Sequence, residues 1–424
     1  MYRLLLILPD AKKDKFIILE AEDVDENVAF DVPQKYNDYF KNKTGIPVYR
    51  RYTFNTQKYV VFVFEQIDNN KNEGFKSYTD CNNEIAQILS SIKESYSESV
   101  NMPCVNEQGF SPYFEWLRDR DIDIAGKITQ LKNTYGSTVF CIPTNDGDLY
   151  MKIPGRIYIT ELPLTFELKQ RNVANFPEWI DYDLDMNVVL MKDMGGHDLP
   201  PSSDIDTYKK VILQFSQIQK DATKYLPLNF KPYDYTIKSI LKRLEDFPQK
   251  AFDILQDTKY SISLDELDTL KNNIATATEM LESINDTKIP NTINYGDLRP
   301  GNIRVLEDQF MFYDCAWASI SHPFIEVAAF LHVIRRNLPT PESNDELISA
   351  YLHSWLEYGK YEDLKQVFSV LYSLRFLFFA IADYDWLEAI YISYKKPINH
   401  MTADGWYYDR RCYYLSSVLQ RFPL

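Results

Sequence analysis

At 424 residues the chain is too long for one hydrophobic core, and two or three domains are expected. Hydrophobic residues make up 45% and charged residues 25%, a globular mix that excludes wholesale disorder. Lys and Arg number 46 against 61 Asp and Glu, a net charge of −15, so no basic field is present to hold a nucleic-acid backbone and nucleic acid is not an expected partner.

The opening residues 4–8 (Leu-Leu-Leu-Ile-Leu) are too short for a signal-peptide core and read as a first strand. Residues 16–19 and 59–64 are further β-rich runs. Ile85, Ile88, Leu89 and Ile92 keep helical spacing, with polar clusters such as residues 69–73 between the runs. Residues 1–100 therefore form an N-terminal α+β accessory domain. Its order of elements resembles Nudix-type domains but lacks their glutamate-rich box, which implies a non-catalytic copy. Residues 93–112 are rich in Ser, Glu, Asn and Pro and read as a linker. Phe114, Leu117, Ile124 and Ile128 predict a helix or helix pair over 113–131. Residues 137–142 and 149–153 predict a hairpin turning at Asp146-Gly147. Residues 161–170 read as helix and 187–191 as strand, before Lys192-Asp193-Met194-Gly195-Gly196 breaks the pattern.

From Asp204 onward the chain is mainly helical: Tyr208, Val211, Ile212 and Phe215 keep the 3.6-residue period, as do Ile237, Ile240, Leu241 and Leu244. Ser263-Leu-Asp-Glu266 is a capping box opening another helix. Residues 367–382 are apolar on nearly every side and belong at the centre of this part. No run approaches the roughly 18 to 20 apolar residues of a spanning helix, and no membrane is expected. The five cysteines, Cys81, Cys104, Cys141, Cys315 and Cys412, are widely spaced, indicating neither a disulfide framework nor a zinc site and fitting a reducing cytoplasm. Thirteen Gly against 31 Tyr and 25 Phe make a loop built on a run of glycines improbable.

One segment carries chemistry: Asn294-Tyr-Gly-Asp-Leu-Arg-Pro-Gly-Asn302, then two short apolar runs around Glu307-Asp308, ending at Asp314. Gly296, Pro300 and Gly301 make a tight loop and the two runs make a hairpin. The ends of a hairpin meet, so Asp297, Asn302 and Asp314 converge. Two carboxylates and an amide oxygen are hard ligands suited to Mg²⁺ carried by a nucleotide phosphate.

The order Asp, four residues, Asn, a strand pair, then Asp resembles the catalytic loop and metal-binding Asp of the kinase fold. The wording Gly-Asp-Leu-x-Pro-Gly-Asn, with Pro323 and Glu326 following, is most similar to the aminoglycoside phosphotransferase and choline kinase branch. The resemblance implies a two-lobed protein-kinase-like fold of the α+β class: a small β-rich lobe over 113–194 and a helical lobe over 195–424 bearing the catalytic loop. It implies transfer of the γ-phosphoryl group of ATP or GTP to a hydroxyl of a small molecule. Asp297 would take the hydroxyl proton and Arg299 would neutralise the transferring group, while Asn302 and Asp314 would hold Mg²⁺. Lys152 would hold the α and β phosphates, oriented by Glu161. Ser137, in the turn Gly136-Ser137-Thr138, would cover the phosphates, and Met191, Asp193 and Met194 would meet the adenine.

Ordinary readings stand beside these. Asp297 could cap a turn, Lys169 competes with Lys152, Glu167 competes with Glu161, and Arg299 could pair with a surface carboxylate. The residue before Gly296 is Tyr295 where the family has His, and Glu326 stands where the family has Asp; both mainly support the loop. Asp383, Tyr384, Asp385, Trp386 and Glu388 read as the polar end of a buried helix, the alternative being reception of a cationic amine. A second functional class is a degenerate kinase-like protein that binds a nucleotide or metabolite and acts through a protein partner.

Overall fold

The computed structural model describes residues 2–9, 15–24, 32–55, 59–66, 83–95, 109–133, 136–155, 158, 160–173, 176–226, 228, 232–256, 258–307, 309–394 and 403–420. The polar cluster at 69–73, residues 96–108 of the linker, Cys81, Cys104 and Asp308 lie outside them. Two compact units form, one of Met1–Ile157, Trp179–Asp193 and Leu387–Arg410, the other of Tyr158–Glu178, Met194–Trp386 and Arg411–Leu424.

The first unit begins with β1 (Tyr2–Pro9), β2 (Phe16–Val24), α1 (Pro33–Thr44), β3 (Val48–Asn55), β4 (Tyr59–Gln66) and α2 (Asn83–Ser95). The sheet order is β2-β1-β4-β3, with β1 and β4 parallel and the other pairs antiparallel. Strands β1 and β4 are the inner pair, and residues 4–8 and 60–64 are no more than 1% exposed. Burial on both faces explains why these runs are continuously apolar rather than alternating. Leu4, Leu6, Val60, Phe62 and Phe64 pack with Tyr36 and Phe40 of α1.

Next come α3 (Ser111–Arg118), β5 (Thr129–Asn133), β6 (Ser137–Thr144), β7 (Gly147–Pro154), β8 (Trp179–Asp183) and β9 (Val188–Lys192), in an antiparallel sheet of order β5-β6-β7-β9-β8. The helix expected over 113–131 stops at Arg118, and the residues after Ile128 form an edge strand instead. The reason is tertiary. A bulge in β3 between Arg50 and Tyr52 leaves peptide groups off the ladder. The Gln130 side chain accepts from Arg50 N (2.9 Å) and donates to Arg50 O (2.7 Å), and Asn133 Nδ2 donates to Arg51 O (2.9 Å). Leaving such buried groups unmatched costs about 1–3 kcal/mol each, so β5 is held where its amides are needed. Just before α3, the half-buried Glu65 carboxylate accepts from Phe110 N (3.1 Å) with Arg51 3.9 Å away. Phe110 enters the core of the second sheet with Tyr49, Phe140, Met151 and Leu190.

The second unit contains α4 (Glu161–Gln170), β10 (His197–Asp198), α5 (Ile205–Thr223), β11 (Tyr233–Tyr235), α6 (Ile237–Leu244), α7 (Phe247–Leu255), α8 (Leu264–Glu282), β12 (Thr292–Asn294), β13 (Ile303–Leu306), β14 (Gln309–Phe312), β15 (Ser319–Ser321), α9 (Pro323–Ile334), α10 (Pro341–His353), α11 (Tyr361–Ser373), and parts of α12 (Arg375–Tyr394) and α13 (Ala403–Gln420). The capping box of α8 is present in full: Ser263 Oγ accepts from Glu266 N (3.2 Å) and Glu266 Oε2 accepts from Ser263 N (2.7 Å). The apolar stretch at 367–382 divides at Leu374 into α11 and α12, with Val367, Leu371, Leu374 and Leu377 buried. Among the described residues no single helix is long and apolar enough to cross a membrane; α11 and α12 pass that test only as a pair bent by 50°.

Two small sheets frame the loop between β12 and β13: β11-β15-β12 and β10-β13-β14. Under them runs a buried polar chain. Asn294 Nδ2 donates to Ser321 Oγ and His322 O, and its Oδ1 accepts from Gln219 Nε2 (2.8 Å). Gln219 Nε2 also reaches Pro323 O, and Tyr351 OH donates to Gln219 Oε1 (2.7 Å). The network ties α5, α9 and α10 to β12, and with its members matched it fixes one arrangement of that floor.

Candidate active site

The loop starts at Gly296, whose φ is +83°. A Cβ there would lie 2.2 Å from the Trp317 carbonyl oxygen, so only glycine fits both the backbone conformation and the space. From below, the buried Glu326 in the first turn of α9 accepts from Gly296 N (2.9 Å) and Leu298 N (3.0 Å). Burial pushes its carboxyl up to about 7, against the pull of those N–H groups. The loop is thus held from beneath by one acid and closed from the side by the chain at Trp317.

Asp297 stands above this floor. Its Oδ2 accepts from Asn302 Nδ2 (3.0 Å) and from Arg299 Nε (3.0 Å), and Asn302 Nδ2 also donates to Asp297 O (2.8 Å). Burial raises the Asp297 carboxyl above the usual range; Arg299 opposes the shift and the charge of Asp314 adds to it. The hairpin closes as the sequence predicts, Ile303 opposite Phe312 and Leu306 opposite Gln309. Tyr313 N donates to Asn302 O (3.1 Å), and Asp314 follows with φ of +64°. The structure therefore brings Asp297, Arg299, Asn302 and Asp314 together. Arg299 is exposed and paired with Asp297.

The donor set can be tested for a divalent cation. Asn302 uses only its Nδ2 internally, and its Oδ1 accepts no hydrogen bond among the described residues. That oxygen and the Asp314 carboxylate are hard donors, enough for a Mg²⁺ ion whose other ligands are phosphate oxygens and water. Among the described residues no three His, Cys, Asp or Glu side chains form an all-protein metal cluster. The residues fit a phosphate-borne cation.

The nucleotide-facing residues expected from the sequence fall mainly in the first unit. In the register, Ser137 opposes Pro154, Lys152 opposes Val139 and Val189, and Met191 opposes Tyr150. Alternation places Ser137, Lys152 and Met191 on one face of the sheet, opposite the face that carries Phe140, Met151 and Leu190 into the core. Asp193 follows β9, its N–H donating to Asp148 O (3.3 Å). Met194 and the buried Glu161, first residue of α4, belong to the second unit. The competitor Lys169 donates to Pro177 O (3.0 Å), and Glu167 pairs with Arg171 at 2.7 Å.

Beside the loop lies a cavity of about 340 Å³ within the second unit, lined among others by Asp297, Trp317, Ser319, Arg375, Asp383 and Arg411. The sequence reading did not find Trp317, Arg375 or Arg411. Arg375 left a signal: it is one cation inside the apolar stretch 367–382. Trp317 and Arg411 left none, because their roles arise from contacts distant in the chain. Of the three acids considered for a cationic amine, Asp383 is buried against Arg411, and Asp385 pairs with Arg243 and accepts from Tyr235 OH (3.0 Å); Glu388 belongs to the first unit.

Neither a protein-family model nor a curated protein sequence matches the chain. Solved structures do. An ethanolamine kinase from Plasmodium vivax is 12% identical, with 82% of this chain and 98% of that one covered at a TM-score of 0.50. A choline kinase from Cryptosporidium parvum is 12% identical, covering 70% of this chain and 87% of that one at 0.47. A choline/ethanolamine kinase family protein from Mesorhizobium loti is 14% identical, covering 70% and 94% at 0.43. The fold is kinase-like and of the α+β class. The structures it resembles are themselves named as ethanolamine and choline kinases, the branch whose wording the loop resembles.

Proposed function

We propose that the chain is a phosphotransferase that moves the γ-phosphoryl group of ATP or GTP to a hydroxyl of a small molecule in a reducing, cytoplasmic setting. The observation that carries this reading is the Asp297 carboxylate held by Asn302 at 3.0 Å above the Glu326-braced loop, with Asp314 at the close of the hairpin. In this reading residues 113–194 and 195–424 are the two lobes, and residues 1–100 are an accessory domain.

The acceptor oxygen bonds to the γ-phosphorus as the bond from that phosphorus to the β–γ bridging oxygen breaks, and the nucleoside diphosphate leaves. Asp297 accepts the hydroxyl hydrogen bond and then the proton. Its raised pKa suits late proton uptake, since a carboxyl above its ordinary range holds the proton better. Asn302 keeps Asp297 in one rotamer, which is the positioning that phosphoryl transfer chiefly requires. Asn302 Oδ1 and Asp314 would hold Mg²⁺, which when bound neutralises charge on the phosphate oxygens. Arg299, once released from Asp297 by the incoming acceptor, can turn to the transferring group. Lys152, with Ser137 and Met191 on its face of the sheet, would receive the phosphates and base, with Asp193 at the adenine edge; Glu161 and Met194 are the second unit's candidates for the same nucleotide.

The test combines binding with turnover. ATP should raise the unfolding temperature only when Mg²⁺ is present, and Asp297→Ala should keep that shift while losing product formation by about 10³-fold or more. Turnover retained by Asp297→Ala sinks the assignment. No stabilisation by any nucleotide moves the reading to a degenerate kinase-like protein that binds a metabolite and a partner.

A further inference from the structure

The cavity beside the loop holds charges in unequal states of pairing. Asp383 is answered by Arg411, whose guanidinium also lies over the Trp317 ring at 4.9 Å and the Trp386 ring at 5.3 Å. Asp385, next along α12, is answered by Arg243. Glu326, at the floor, is used by the loop peptides. None of these three acids is open to a cationic ligand without first losing its partner.

Arg375 is the converse case. It opens α12 and lines the same cavity as Asp297. Its Nε donates to His332 Nδ1 (3.1 Å) and its Nη1 to Tyr372 O, and it lies over the Tyr372 and Phe376 rings at 4.5 and 4.4 Å. Among the described residues it has no carboxylate partner, and its Nη2 donates to nothing. The nearby Arg335 adds positive charge, and burial with that neighbour pulls the guanidinium below its usual range. A guanidinium clamped on two of its nitrogens, packed against aromatic rings and without a counter-ion among the described residues is built to receive an oxyanion, for which it offers fixed donors.

Resting on the phosphotransferase reading above, we infer that the acceptor is an anionic hydroxy compound, its hydroxyl at Asp297 and its carboxylate or phosphate group on Arg375. A cationic amino alcohol, by contrast, would meet an uncompensated arginine and acids already paired. Desolvating Arg375 against a positive ligand is unfavourable on both counts.

The experiment offers the full-length protein, with Mg²⁺ and ATP, four acceptors: glycerate, glycerol 3-phosphate, glycerol and ethanolamine. ADP release is measured for each, and binding of the same four is measured by calorimetry without nucleotide, on the parent chain, Arg375→Gln and Arg375→Lys. The expected result is that an anionic acceptor exceeds glycerol and ethanolamine by about 30-fold in kcat/KM, with Arg375→Gln losing that margin through KM and Arg375→Lys restoring part of it. The better of glycerate and glycerol 3-phosphate separates carboxylate from phosphate. Ethanolamine preferred over both anions overturns the inference and leaves the phosphotransferase reading standing. Anion binding that depends on Arg375 without ADP release on any acceptor keeps the oxyanion site at Arg375 and overturns the phosphotransferase reading with the acceptor role built on it, and absence of both overturns both. The ranking on the parent chain decides the matter even if the Arg375 variants fail to fold.

Discussion

In the loop between β12 and β13 the candidate residues are contiguous, and in the sheet of β6, β7 and β9 they are dispersed. Asp297 and Asn302 touch directly, and the hairpin folds Asp314 back beside them, so short-range chain geometry does most of the placement. Ser137, Lys152 and Met191 sit on three strands and share a face only because the register of two antiparallel pairs aligns them. The loop is braced by side chains from far away, Glu326 below and Trp317 at its flank; the sheet residues ride on a hydrophobic core that faces the other way. A site can thus be specified by a motif with remote supports, or by a regular scaffold with no local motif.

Three substitutions probe this contrast. Gly296→Ala should be the most damaging to stability, because a left-handed backbone angle and the Trp317 carbonyl both reject a methyl group. A loss of about 4 kcal/mol in denaturant unfolding is expected, and a loss under 1 kcal/mol would show that the loop tolerates a different path. For the sheet, Lys152→Met should lower kcat/KM for ATP about 100-fold, a change of about 2.7 kcal/mol, while leaving the unfolding midpoint within a degree or two. Lys169→Met, whose amine is committed to Pro177 O, should change kcat/KM less than 3-fold; the opposite ranking would exchange the two lysines.

A further effect concerns Glu326 and pH. Its carboxyl titrates near 7 in the folded chain and at an ordinary 4.5 when unfolded. Between those values the folded form binds more protons, so stability falls as pH rises. The contribution is fully present below 4.5 and lost by about 7, amounting to about 2 kcal/mol between pH 5 and pH 7. Glu326→Gln should flatten that part of the slope relative to the parent chain. An unchanged difference across the range would mean that Glu326 is ionised throughout.

Much of the second unit was legible in the sequence. The capping box at Ser263, the period through Tyr208 and Phe215, and the Asp297-to-Asp314 segment are local signals, each expressed within one or two elements. The first unit was harder. Strand β3 carries Arg50 and Arg51, two charges that break any apolar run, yet Arg50 is fully buried with its guanidinium 4.6 Å from the Phe62 ring centroid. Strand β5 exposes no alternating pattern because Gln130 and Asn133 point inward to serve the bulge in β3. Helix α1 and strand β8 likewise lacked a run long enough to stand out. In the cavity, Arg411 and Asp383 have meaning only as a pair whose members lie on different helices.

That pair also bears on the order in which the molecule is made. Helix α13 follows every other described element, and it contributes Arg411, Tyr414 and Val418 to the cavity wall. During synthesis the earlier helices of the second unit emerge first and can begin to collapse while Asp383 still lacks its counter-charge. A buried acid in that state favours its protonated form or stays hydrated, so the cavity wall sets only once α13 arrives. Nascent chains that stop before Arg411 would hold the Asp297 loop beside an unfinished cavity wall, so the loop and the cavity next to it are set at different moments of synthesis.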